Sequence, residues 1–256
     1  MNGMRLVFPV MGTMSTISVP EVEVARHGHA AVDLVLREAR RELELLDKRF
    51  SHYNDASDIT RWQAGYSVGP DTLAEIMHVL DQCQELEAES DGAFRIKNPR
   101  TGALDTAGYV KGYAIGRAAE VLRLGGLTSF AVGVGGDGYF AGRPAEDRRW
   151  NVAVQHPERR YGVAAVVAAT DAAVATSGSA ERGDHIWPAE GAEGTGDVVS
   201  FTVVGPRIAL ADAFATIGFA MGQDGMRWVA GHEGYHSVVV RSDGSVRSDA
   251  ALVSAA

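Results

Sequence analysis

The chain of 256 residues has one cysteine, Cys83, so it cannot form an intramolecular disulfide, and its redox compartment is left undiagnosed. Cys83 falls on the apolar face of a predicted helix, which reads as a buried structural thiol rather than a reactive one. No apolar run reaches the roughly 18 residues of a membrane span. Positive charge is not in excess: the formal net charge is -9, a poor match for nucleic acid or an anionic membrane surface, although a local basic site for phosphate is still allowed. Met1 to Met14 holds one arginine and a short apolar stretch broken by Pro9, without the apolar core and cleavage site of a secretory signal. A cytoplasmic location is the expectation, with an extracytoplasmic one open if a signal was removed. There is no repeat and no clear linker, which predicts one domain over residues 1–256.

What is present is ordinary for a globular protein: 46% hydrophobic and 22% charged residues, at a length that supports a sizeable core. Met4 to Pro20 reads as two short strands around Met11-Gly12-Thr13. Val32, Val35, Leu36, Ala39, Leu43, Leu46 and Phe50 recur at helical spacing within Ala30 to Phe50. Ser51 to Trp62 is polar and turn-rich. A second helix is expected near Pro70, with Thr72 and Glu75 as a capping box and Leu73, Ile76, Leu80 and Cys83 as its apolar stripe. Tyr109 to Leu124 is a third helix, stopped by Gly125-Gly126. Strands are expected at 130–134, 150–155, 163–169, 172–176 and 198–204, then helices at 210–221 and 224–230, and a hairpin about Asp243-Gly244. Helices and strands mix without a βαβ rhythm, which favours an α+β fold.

Two segments carry chemistry. In Ala211-Asp212-Ala213-Phe214-Ala215-Thr216, a carboxylate and a hydroxyl share one helix face, and two hard oxygen ligands suit a cation such as Mg2+. Leu104-Asp105-Thr106-Ala107-Gly108-Tyr109-Val110-Lys111-Gly112 adds a carboxylate, a lysine and glycines that permit close backbone approach. Together these are what a pyrophosphate requires, and they suggest phosphoryl chemistry on a nucleotide. Each has a plainer reading: Asp212 as a helix-end charge, Thr216 bonded back to a carbonyl, Lys111 as a surface lysine. Gly133-Val134-Gly135-Gly136-Asp137-Gly138 satisfies the dinucleotide spacing, but Gly142 and Pro144 stand where the required helix should grow, so a β-turn is the better reading. His27 and His29 are expected at the surface, since nothing supplies a third ligand.

Taken in order, these segments resemble the ApbE family, the FAD:protein FMN transferases. The resemblance is carried by Met11-Gly12-Thr13, Ser51-His52-Tyr53 through Ser57-Asp58-Ile59, Asp91-Gly92-Ala93-Phe94, Leu104-Asp105 through Lys111-Gly112-Tyr113-Ala114, Gly135-Gly136-Asp137, Ala175-Thr176-Ser177-Gly178 with Glu181-Arg182 and His185-Ile186, and Ala211-Asp212-Ala213 with Thr216. It implies a two-lobed, T-fold-related α+β domain of mixed sheets with packed helices. It implies Mg2+-dependent transfer of FMN from FAD to a threonine hydroxyl of an acceptor flavoprotein, with AMP leaving; some members hydrolyse FAD to FMN and AMP instead. It also implies site residues. Asp212, Thr216 and the Gly108 carbonyl would hold the metal. Met11, Tyr53, Ala93, Phe94, Arg95, Asp105, Lys111, Gly135, Gly136, Asp137, Thr176 and Ser177 would bind FAD. Lys111 and His185 would serve catalysis, His185 by proton transfer. The chain departs from the family pattern at Arg95, where Asp-Pro is usual, and in a shortened Trp187-Pro188-Ala189-Glu190-Gly191 after His185-Ile186. A non-catalytic FAD-binding protein is the rival reading.

Overall fold

The computed structural model describes residues 3–98, 102–157, 162–178, 196–249 and 253–255. An antiparallel hairpin, β1 (Met4–Val10) and β2 (Thr13–Val19), leads into helices α1 (Glu21–His27), α2 (His29–Phe50), α3 (Asp58–Gln63), α4 (Pro70–Glu89) and α5 (Ala107–Leu124). Then come β3 (Phe130–Val134), β4 (Asp137–Ala141), β5 (Trp150–Gln155), β6 (Val163–Ala169), β7 (Ala172–Gly178) and β8 (Val198–Gly205). Helix α6 (Ile208–Met221), a 3-10 turn, helix α7 (Gly225–Ala230) and strands β9 (His236–Arg241), β10 (Val246–Ser248) and β11 (Val253–Ala255) complete the order.

Eight strands form one sheet in the order β1-β2-β3-β4-β7-β8-β9-β10, and β11-β6-β5 form a second. Every strand pair among the described residues is antiparallel, which refines the expected mixed sheets within an α+β fold. Alternate residues of a strand face opposite sides. Accordingly Ala173, Val203 and Val239 join the helices in the main core, while their neighbours Val174, Val204 and Val238 pack with Val154, Ala165 and Val167 of the small sheet. The large sheet is thus covered by helices on one face and by the small sheet on part of the other. The short turn at Thr170-Asp171 carries the chain from one sheet to the other, so β6 and β7 are consecutive without pairing.

Several local expectations are corrected. Helix α4 begins at Pro70 with Gly69 as its N-cap and no side-chain cap, so Thr72 lies inside the first turn and Glu75 is free for distant arginines. Its buried stripe is Ile76, Val79, Leu80, Cys83 and Leu86, whereas Leu73 is exposed. The polar stretch after Ser51 contains a helix, α3, capped by Ser57, whose hydroxyl accepts from the Thr60 amide at 3.2 Å. Helix α1 was not expected. In it, the buried Glu23 accepts from the Thr128 amide and hydroxyl (3.1 and 2.8 Å) and pairs with His27 at 3.4 Å, so His27 is not a free surface histidine. Cys83 is fully buried. Desolvation first, then Asp105 and Glu87, push its thiol up to about 12, as the structural reading requires.

Candidate functional site

The site is made where α5 crosses α6. A Cβ at Gly112 would come within 2.6 Å of the Ile208 carbonyl oxygen and 2.8 Å of Asp212 Cβ, so only glycine allows the two helices this approach. The contact is used: the Gly112 amide donates to Asp212 Oδ2 at 2.8 Å. That amide is the helical partner of the Gly108 carbonyl, so Asp212 draws on the same donor. One helical turn along, Thr216 reaches Gly108. A Cβ there would stand 3.2 Å from Thr216 Oγ1 and 3.1 Å from Phe94 Cε2. The Thr216 hydroxyl donates to the Asp212 carbonyl at 3.3 Å and lies 3.3 Å from Ser177 Oγ. Asp212, Thr216 and Gly108 therefore converge. The carboxylate is buried, for Asp212 is 2% accessible.

The sheet supplies a second carboxylate. Gly135 and Gly136 form a two-residue hairpin turn closed by the Val134–Asp137 pair, not a phosphate-binding entry to a helix. Asp137 opens β4 with its side chain buried; Oδ1 accepts from the Thr176 amide of β7 at 2.8 Å. Thr176 Oγ1 in turn shares a hydrogen bond with Thr202 Oγ1 at 2.8 Å. The Lys111 ammonium pairs with Asp137 Oδ2 and stands 3.5 Å from Asp212 Oδ1, its side chain only 11% exposed. Lys111 is no surface lysine, and Asp137 is a residue beneath the surface that holds it. The Lys111 ammonium thus stands between two buried carboxylates. Among the described residues no group of three His, Cys, Asp or Glu could hold a metal. The oxygen donors here are a carboxylate, a hydroxyl and a carbonyl, hard ligands that fit Mg2+.

Lys111 also lines a cleft of about 740 Å³ with Met11, Asp47, His52, Tyr53 and Gly135. Tyr53 is almost fully exposed there. His52 Nε2 accepts from the Thr106 amide at 3.3 Å and lies 2.9 Å from Thr106 Oγ1, tying the end of α2 to the start of α5. Burial holds the His52 imidazole below its ordinary pKa, with Asp105 opposing. Asp105 itself accepts from the Ala107 amide at 3.0 Å, an Asx turn that leads into α5, whose N-cap is Thr106. Ala93 and Phe94, expected against FAD, are buried, with the Phe94 ring under Gly108. Arg95 Nε donates to the Gly92 carbonyl at 3.2 Å. His185 lies outside the described residues. Asp47 and His52 had no signal of their own in the sequence, beyond an acidic residue in the last turn of a helix, where the dipole disfavours it.

Known proteins match this arrangement. The model of the ApbE family matches residues 11–101 and 95–239. The FAD:protein FMN transferase of Klebsiella pneumoniae (strain 342) is 29% identical over 151 residues, 55% of this chain and 43% of that protein. The chain thus aligns with less than half of that relative's length. The FAD:protein FMN transferase of Salmonella typhimurium is 24% identical over 91% of this chain and 83% of its own length. The solved flavin transferase ApbE from Vibrio cholerae superposes with a TM-score of 0.76 at 19% identity, covering 96% of each chain, and so shares the fold.

Proposed function

The chain belongs to the ApbE family, and from that membership we propose that it is a Mg2+-dependent FAD:protein FMN transferase that flavinylates a threonine of an acceptor protein and releases AMP. The observation that carries this reading is Lys111: it lines a cleft of about 740 Å³ while its ammonium is held by two buried carboxylates, Asp137 and Asp212. A cleft of that size suits a small-molecule ligand.

In the proposed reaction the acceptor hydroxyl oxygen bonds to the phosphorus of the FMN half. The bond from that phosphorus to the bridging oxygen breaks, AMP leaves with the electron pair, and the hydroxyl proton passes to a base. Charge gathers on the phosphate oxygens, and a preorganised ammonium is worth more in a partly dry wall than in water. Asp137 fixes Lys111 for this task. Asp212, Thr216 and the Gly108 carbonyl would hold Mg2+, which when bound supplies Lewis-acid charge on the phosphate oxygens. Tyr53 offers an aromatic face to one end of the dinucleotide. His185 is proposed as the base, since a histidine has a suitable pKa near neutrality.

The test is to incubate the protein with FAD and Mg2+, with and without a threonine acceptor peptide, and to measure AMP and peptide-bound flavin. Transfer requires equal amounts of AMP and flavinylated peptide. AMP with free FMN and unmodified peptide would make the protein an FAD pyrophosphatase, and bound FAD without AMP would make it a flavin-binding protein.

A further inference from the structure

We propose that Asp47 is a positioning residue for the cleft, holding the Met11-Gly12 turn in the shape that receives the dinucleotide; this rests on the flavin reading above. The turn joins β1 to β2 and is left-handed at both residues, with φ of 53° at Met11 and 70° at Gly12. For Gly12 this needs no explanation. Met11 carries a Cβ, which the left-handed region crowds. Among the described residues only two other non-glycine positions have positive φ, Asp91 and Asp171, and aspartate tolerates the region better. Backbone outliers of this kind cluster at ligand sites, where the surroundings hold them.

A long-range bond holds the Met11 backbone. Its amide donates to Asp47 Oδ2 at 3.0 Å, across 36 residues of chain. Asp47 lies in the last turn of α2, where a carboxylate opposes the helix dipole, so local helix energetics do not account for it. Neither of its basic neighbours neutralises it: Arg49 is committed to Glu75 and Asp58, and no ion pair joins Lys48 to Asp47 among the described residues. Asp47 and Met11 both line the cleft, and Met11 also packs on the core, so the turn is anchored on two sides. The adjoining hairpin leans on the start of β2, its Gly135 amide donating to the Met14 carbonyl at 3.1 Å.

Asp47→Ala removes the acceptor; Asp47→Asn removes the charge but keeps an oxygen that can accept. FAD affinity by flavin fluorescence, hydrogen exchange of the Met11 amide without ligand, and melting temperature would be compared across parent and variants. In Asp47→Ala the affinity falls about tenfold, the scale of one lost hydrogen bond, and Met11 exchange rises by a similar factor. In Asp47→Asn both stay within about threefold of the parent on the same scale. Parental affinity in Asp47→Ala, or an equal loss in Asp47→Asn, overturns the proposal. A parent that binds no FAD, with Met11 protection still lost in Asp47→Ala, removes the flavin reading and leaves the Asp47 clasp standing.

Discussion

Two ionic clusters lie on either side of α5, and they are built differently. Between α2, α4 and α5, Arg117 reaches Glu42 at 2.7 Å and Glu75 at 2.6 Å, Arg49 pairs with Glu75, and the Tyr113 hydroxyl donates to Glu75 at 2.8 Å. Its two arginines balance its two inner glutamates. Between α5, α6 and β4, Lys111 faces Asp137 and Asp212. The first cluster is complete as a tie between helices. The second brings its ammonium to the cleft, beside a hydroxyl and a carbonyl, where a ligand can meet it.

The largest break in this contrast is Lys111→Met. Two buried carboxylates would then lose their ammonium partner, and breaking such a pair costs roughly 3–5 kcal/mol. Melting should drop accordingly, and AMP release from FAD should fall by on the order of 10²–10³, the cost of losing a preorganised charge-stabilising group. Added Mg2+ should restore part of the melting temperature by mass action.

Asp212→Asn is next. The amide oxygen can still accept from Gly112, so the stability cost is about 1 kcal/mol. AMP release should fall by about 10²-fold, the upper end of what even outer-shell partners cost a metal site. The rise in melting temperature that Mg2+ gives the parent should shrink. A parental Mg2+ response in this variant sinks the metal reading.

Glu75→Gln tests the balanced cluster. It leaves Arg49 and Arg117 short of a carboxylate and should cost roughly 1–3 kcal/mol, with AMP release within about twofold of the parent, an effect too small to mark a catalytic group. A large loss of activity would erase the distinction between the two clusters.

The smallest expected effect is that of pH on His52. Its folded pKa lies below the ordinary 6.5, chiefly through burial. The unfolded chain therefore takes up the proton first as pH falls. The stabilisation is complete above about 6.5 and is lost as pH descends through the lowered value. Melting temperature measured across that window should decline more in the parent than in His52→Gln. Equal slopes would show that the Thr106 bonds do not depend on a neutral imidazole.

Much of the fold was legible because it is written locally. The long helices follow from apolar residues at helical spacing, as in Val32, Leu36, Ala39 and Leu43, all fully or nearly buried. The glycine turn before Asp137 announced a hairpin in place of a dinucleotide motif, because no helix could follow it. The α1 and α3 helices escaped notice, being too short for a period to accumulate. The capping box at Thr72 failed because Pro70 starts the helix earlier, as proline at a first turn does. At the site, the order of short motifs named Lys111, Asp137, Asp212, Thr216 and Phe94; that Asp137 pairs with Lys111 and that Phe94 underlies Gly108 was not legible there.

By itself the sequence determined the long helices, most of the strands, the α+β class and the family, since each depends on spacing within a segment or on the order of segments. Only the tertiary structure decided that the Gly112 amide meets a carboxylate 100 residues away, that one lysine serves two buried aspartates, and that Asp47 restrains Met11. These contacts depend on helix crossing and strand register, which are set when many distant residues pack at once. No local propensity along the chain encodes them.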